Sequence, residues 1–153
     1  QGLDSENNAH WEIADIVFDE GALQALEVYK TTVQVIRLPK LIPKFIVDKE
    51  GLFDTIFNRV KVFSGSSGDI NFKKNKGFSN KFLLRGEEEA EIREFFTDDL
   101  IQFLEDNEIH HIESNGEALM IFKYLHIAKT DEVKNMLTFG LNLLKHMDFK
   151  SNL

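Results

Sequence analysis

The stretch His110-His111-Ile112-Glu113-Ser114-Asn115-Gly116-Glu117-Ala118-Leu119-Met120-Ile121-Phe122 decides the fold. Asn115-Gly116 is the dipeptide that most strongly favours a tight turn between antiparallel strands, and residues 109–113 and 118–127 flank it as the two strands. A helix follows, which Thr130 is expected to cap. Its apolar stripe is Val133, Met136, Leu137, Gly140, Leu141 and Leu144. Hairpin then helix is the unit from which the rest is read.

Upstream, the pattern recurs with different residues. Residues 69–72 and 78–84 read as a hairpin around Lys73-Lys74-Asn75-Lys76-Gly77. The helical run over 87–108 presents Ile92, Phe95, Phe96, Leu100, Phe103 and Leu104 on one face, and Thr97-Asp98-Asp99 predicts a break and a fresh cap within it. Residues 11–18 and 27–38 read as strands, the second through its β-branched run Thr31-Thr32-Val33-Gln34-Val35-Ile36. Pro39 and Pro43 bracket an extended connection, because proline brings no ladder donor. Phe45-Ile46-Val47 reads as a further strand and residues 51–57 as a short helix. Residues 1–9 read as a flexible arm, and 10–153 as a single α+β domain. The expected architecture is an antiparallel sheet built of successive β-hairpins, with three or four helices packed mainly on one face.

Composition narrows the function classes. The 153 residues suffice to bury about 70% of the unfolded surface in one core. Fourteen Phe against one Trp and two Tyr supply purely apolar filling and few aromatic polar handles. Eighteen basic and twenty-six acidic side chains leave a formal charge of −8, a surface that repels phosphate backbones and argues against nucleic-acid binding. The absence of cysteine excludes disulfides, thiolate metal sites and thiol catalysis. No run approaches the ~20 apolar residues of a membrane span. The chain begins at Gln1, which reads as a processed form or fragment whose anchor, if any, lies upstream.

Several motifs, taken in order, resemble a known pattern. Val35-Ile36-Arg37-Leu38-Pro39, Ile42-Pro43-Lys44-Phe45-Ile46-Val47 and Glu50-Gly51-Leu52-Phe53-Asp54 come first. Asp69-Ile70-Asn71-Phe72, Phe78-Ser79-Asn80-Lys81-Phe82-Leu83-Leu84-Arg85-Gly86 and Phe96-Thr97-Asp98-Asp99-Leu100 follow. Together, over about residues 30–123, they resemble an uncharacterised bacterial domain of unknown function, often found C-terminal to transmembrane segments. Asp98 departs from it, since family members typically carry proline there; both residues suit a helix's first turn. The resemblance implies a domain held at a membrane surface on its cytoplasmic side, and it brings no catalytic residues.

The candidate chemistry is sparse. His110, His111, Glu113 and His126 invite a metal site. A turn centred on Asn115-Gly116 pairs His111 with Met120, sends His110 and His111 to opposite faces, and leaves His126 about 20 Å away along its strand. Only His111 and Glu113 share a face, too few for zinc. Glu87, Glu88, Glu89, Glu91 and Glu94 read as a solvated helix start. Gly65-Ser66-Ser67-Gly68 lacks the Lys-Ser/Thr of a phosphate loop. Lys73, Lys74 and Lys76 are the one basic cluster, suited to solubility or to an anionic membrane surface. Ser64, Ser66, Ser67, Ser79 and Ser114 show no nucleophile signature. Asp15 and Asp19 read as edge-strand charges that discourage aggregation, and Leu41 with Ile42 as a possible partner contact. No catalytic, cofactor or metal residue is assigned. The expected function is a non-catalytic interaction or regulatory domain with a protein partner or a second copy. The alternative is a ligand-binding protein or enzyme using apolar surface on the sheet's open face, where Met120, Phe122 and Tyr124 lie opposite Leu119, Ile121, Leu125 and Ile127.

Overall fold

The computed structural model describes residues 1–19, 28–49, 68–108, 110–123, 125–147 and 149. The strands are β1 (Gly2–Asp4), β2 (Ala9–Asp19), β3 (Val28–Arg37), β4 (Phe45–Lys49), β5 (Phe82–Gly86), β6 (His111–Ser114) and β7 (Ala118–Phe122). The helices are α1 (Lys76–Lys81), α2 (Glu89–Phe95), α3 (Asp98–Asp106) and α4 (Thr130–His146). The strands form one antiparallel sheet in the order β1-β2-β3-β7-β6-β4-β5, and the fold is α+β.

Strand parity fixes which face is covered. Ile36, Leu119, Ile121, Ile112, Phe45, Val47, Leu84 and Phe82 lie on one side of the pleat through successive cross-strand pairs, and all are buried. They join one core with Phe78 of α1, Ile92 of α2, Leu100, Ile101 and Leu104 of α3, and Phe139, Leu143 and Leu144 of α4. The four helices among the described residues thus close on the same side, as the amphipathic spacing predicts for α2, α3 and α4. The phenylalanine excess is concentrated here. Phe96 meets Phe45 edge-on at 5.0 Å and also contacts Phe72 and Phe78, joining the helical layer to β4.

The break between α2 and α3 falls at the predicted place. Thr97 is the N-cap of α3, its hydroxyl accepting a hydrogen bond from the Leu100 amide at 3.3 Å. Lys81, ending α1, donates to the carbonyls of Glu105 and Asn107 at the far end of α3, where the helix dipole favours a cation. The last helix opens one residue earlier than expected. Lys129 is its N-cap, and its amide donates to the Glu132 carboxylate at 2.7 Å. Met136, Phe139, Gly140, Leu143 and Leu144 are its buried residues, so the packed stripe adds Phe139 and Leu143 to the predicted one, while Leu137 and Leu141 are half-buried at its margin.

Other expectations are corrected. Residues 1–9 do not form a loose arm. Gly2–Asp4 pairs with Ala9 to Trp11, Asp4 accepts hydrogen bonds from Glu6 and Asn7 within the turn, and the Trp11 ring sits where a Cβ on Gly2 would be. Residues 69–84 are not a hairpin. The segment Lys76–Lys81 is helical, and β5 pairs along its length with β4; its link to the preceding segment is Ile70 donating to Leu84, with Leu84 donating back to the Asp69 carboxylate. β7 ends at Phe122, so Leu125 and Ile127 lie beyond it, both exposed. The helix read over 51–57 and the glycine-serine stretch 64–67 lie outside the described residues.

Candidate functional site

The β6–β7 hairpin orders the central part of the molecule. Asn115 rather than the Asn-Gly pair opens the turn: its amide bonds to Ala118, and its side-chain oxygen accepts from the amides of Glu117 and Ala118 at 3.0 and 2.8 Å. Gly116, at φ +97°, therefore takes the first central position, where an L side chain would be strained. The partner of His111 is Phe122 instead of Met120. A one-residue displacement of the turn moves every cross-strand partner by two, so the faces predicted for the histidines are unchanged.

The proline-bracketed connection wraps around this turn. Leu38 donates to Glu117, Ile42 donates to Gly116, and the buried Ser114 hydroxyl donates to the Pro43 carbonyl at 2.8 Å while accepting from the Gly116 amide. The prolines stand where no donor is needed. Ser114 is a fastening, and Ser79 likewise, its hydroxyl accepting from the Phe72 amide.

The two adjacent histidines occupy different environments. His110 lies on the helical side, stacked on Phe139 with centroids 3.8 Å apart, its Nδ1 2.8 Å from the Glu108 carbonyl. Burial pushes its pKa down to about 4 against the pull of that carbonyl. His111 lies on the opposite face against Phe122. Asp48 of β4 approaches its Nδ1 at 3.6 Å, and Glu113 its Nε2 at 3.5 Å. Burial works against the cation, yet the two carboxylates outweigh it and raise the His111 pKa. They approach opposite ring nitrogens, so they cannot converge on one ion. His126 faces Glu132 at the start of α4. Among the described residues no group of three or more His, Asp or Glu side chains is arranged to hold a metal.

The remaining candidates are dispersed. Glu87, Glu88, Glu89, Glu91 and Glu94 are exposed on α2 and the two residues before it, only Glu89 and Glu91 lying in its first turn, with Glu87 3.5 Å from Lys44 and Glu89 2.6 Å from Arg93. Lys73 and Lys74 border a shallow groove of about 520 Å³ with Phe72 and Phe96, and Arg93 there donates to the Asn71 carbonyl. A second groove, about 590 Å³, runs along the β1–β3 end beside His10, Trp11, Glu12, Val35 and Arg37. Asp15 accepts from Thr32 at 2.7 Å, and Thr32 in turn accepts from the Ala128 amide, tying β2 through β3 to the segment before α4. Leu41 is 77% exposed, whereas Ile42 packs against the core. The open face is apolar only in part: Val33 and Phe122 are buried with Met136, and Val35 and Met120 are half-buried beside them.

Asp15 and Asp19 mark β2 as an edge strand, but the extent of the edge had no sequence signal. β1 covers only Ala9 to Trp11 of β2, and residues 12–19 form an outer sheet edge with no partner strand among the described residues. Strand length alone does not reveal which end of a sheet is left uncovered. No described helix is long and apolar enough to cross a membrane. No family model, curated protein or solved structure matches this chain.

Proposed function

We propose that this chain is a non-catalytic interaction domain. The observation that supports it is the commitment of hydroxyls to the fold among the described residues: Ser79, Ser114, Thr97 and Thr32 each bond to neighbouring backbone or side chains. Among the described residues a strand edge and shallow grooves stay open. The membrane-surface setting implied by the motifs belongs to the same proposal, with Lys73, Lys74 and Lys76 exposed and able to face anionic headgroups.

A ligand-binding reading draws on the groove lined by His10, Glu12 and Arg37, where unlike charges stand beside the Trp11 indole. The two are separated by a thermal-shift screen against metal ions and common metabolites. The interaction reading expects no stabilisation. A small molecule whose stabilisation disappears in Arg37→Ala would overturn it.

A further inference from the structure

From the outer edge of β2 we infer that residues 12–19 receive an extended, basic-apolar segment of a partner by strand addition. The inference rests on the interaction reading and names its surface and partner chemistry. An unpaired strand presents alternate amides and carbonyls outward, which makes it a template for a further strand. On β2 the inner side is paired with β3 through Asp19, while among the described residues pairing on the outer side stops at Trp11.

The side chains along this edge give the partner its character. Ile16 is 36% and Val17 61% exposed, one on each face of the sheet, so an added strand would find an apolar neighbour on either side. Glu12 and Asp15 are exposed acids, and the strand itself carries no Lys or Arg. Lys30, across from Val17, is a basic neighbour one strand inward. A second copy of this chain would lay one acidic stretch along another, and like charges across a strand pair are destabilising. Lysine or arginine alternating with aliphatic residues meets both demands.

The test uses the full chain and a capped peptide alternating valine with lysine, long enough to span residues 12–19. Amide exchange by NMR is expected to slow at alternate positions of that stretch on peptide addition. Binding should weaken with salt, and by about threefold in Glu12→Lys, the scale of an exposed charge pair. A valine-glutamate peptide should not bind. Lysine-peptide binding that protects a different surface, or none at millimolar peptide, overturns the strand-addition site while leaving the interaction reading standing. A dimer in light scattering that protects residues 12–19 without peptide overturns the choice of partner. Small-molecule stabilisation lost in Arg37→Ala would remove the underlying reading instead.

Discussion

His110 and His111 are consecutive residues whose imidazoles lie on opposite faces of the sheet, one stacked on Phe139 and the other wedged between Asp48 and Glu113. Their protonation is linked to folding with opposite signs. The His110 pKa falls from 6.5 to about 4 on folding, so the unfolded chain binds the extra proton, and the stability that neutral His110 allows is lost as pH falls from 6.5 toward 4. That loss approaches ~3 kcal/mol at the acid end. His110→Leu should flatten this limb in urea unfolding measured between pH 7 and 4.5. An unchanged acid limb would refute the assignment.

His111 acts in the other direction. Its pKa is raised above 6.5 in the folded chain, so its contribution is fully present below 6.5 and is lost as pH rises through the folded value. Replacing it with Gln leaves Asp48 and Glu113 facing each other without a cation. The variant should be destabilised more at pH 6 than at pH 9. Equal destabilisation at both would mean that the imidazole acts by packing against Phe122 alone.

Ser114→Ala tests the fastening of the hairpin to the connection that precedes β4. The hydroxyl is buried and serves two backbone groups, the Pro43 carbonyl and the Gly116 amide. Removing it leaves both short of a partner, at a cost of ~1–3 kcal/mol. Hydrogen exchange should speed up at the Ile42 amide, whose acceptor is the Gly116 carbonyl. Faster exchange confined to α4 would contradict this route.

The sequence made the local relations legible and the long-range ones much less so. Period-two alternation placed His110 and His111 on opposite faces, and Thr97 marked the α2–α3 break, because both depend on residues within a few positions. The turn register was missed because Asn115 binds the backbone ahead of it through its side chain, which shifts the glycine into the first central position. The segment at 76–81 was misread because β5 finds its strand partner in β4, far back in the chain. No local pattern encodes that choice, nor the insertion of β7 beside β3. The length of uncovered β2 edge is a consequence of those pairings; Asp15 and Asp19 signalled an edge strand, but not how little of it β1 covers.

Two glycines distinguish rigid from yielding packing. A Cβ on Gly86 would collide with the Ile92 side chain and with the backbone carbonyl of Lys44, which β4 holds in place. Gly86→Ala should therefore cost ~1–3 kcal/mol, the range for an overfilled core. At Gly140 the obstacle is the carboxamide of Gln34, a side chain. The loss in Gly140→Ala should be smaller, since alanine favours the helix by ~1 kcal/mol over glycine. Matching urea midpoints for the two variants would contradict this ordering.

Gln34 itself should be a site where stability can be gained. It is fully buried between β3 and α4, and neither its amide nitrogen nor its carbonyl oxygen has a hydrogen-bond partner among the described residues. A buried polar group left without a partner costs ~1–3 kcal/mol. Methionine has similar length and flexibility without the desolvated amide, so it can follow the same path past Gly140. Gln34→Met should raise the urea midpoint with the slope unchanged, an increase in stability of ~1 kcal/mol or more. A lower midpoint would mean that the carboxamide is satisfied in solution by an enclosed water, which solvent-exchange NMR on the Gln34 side-chain amide would detect.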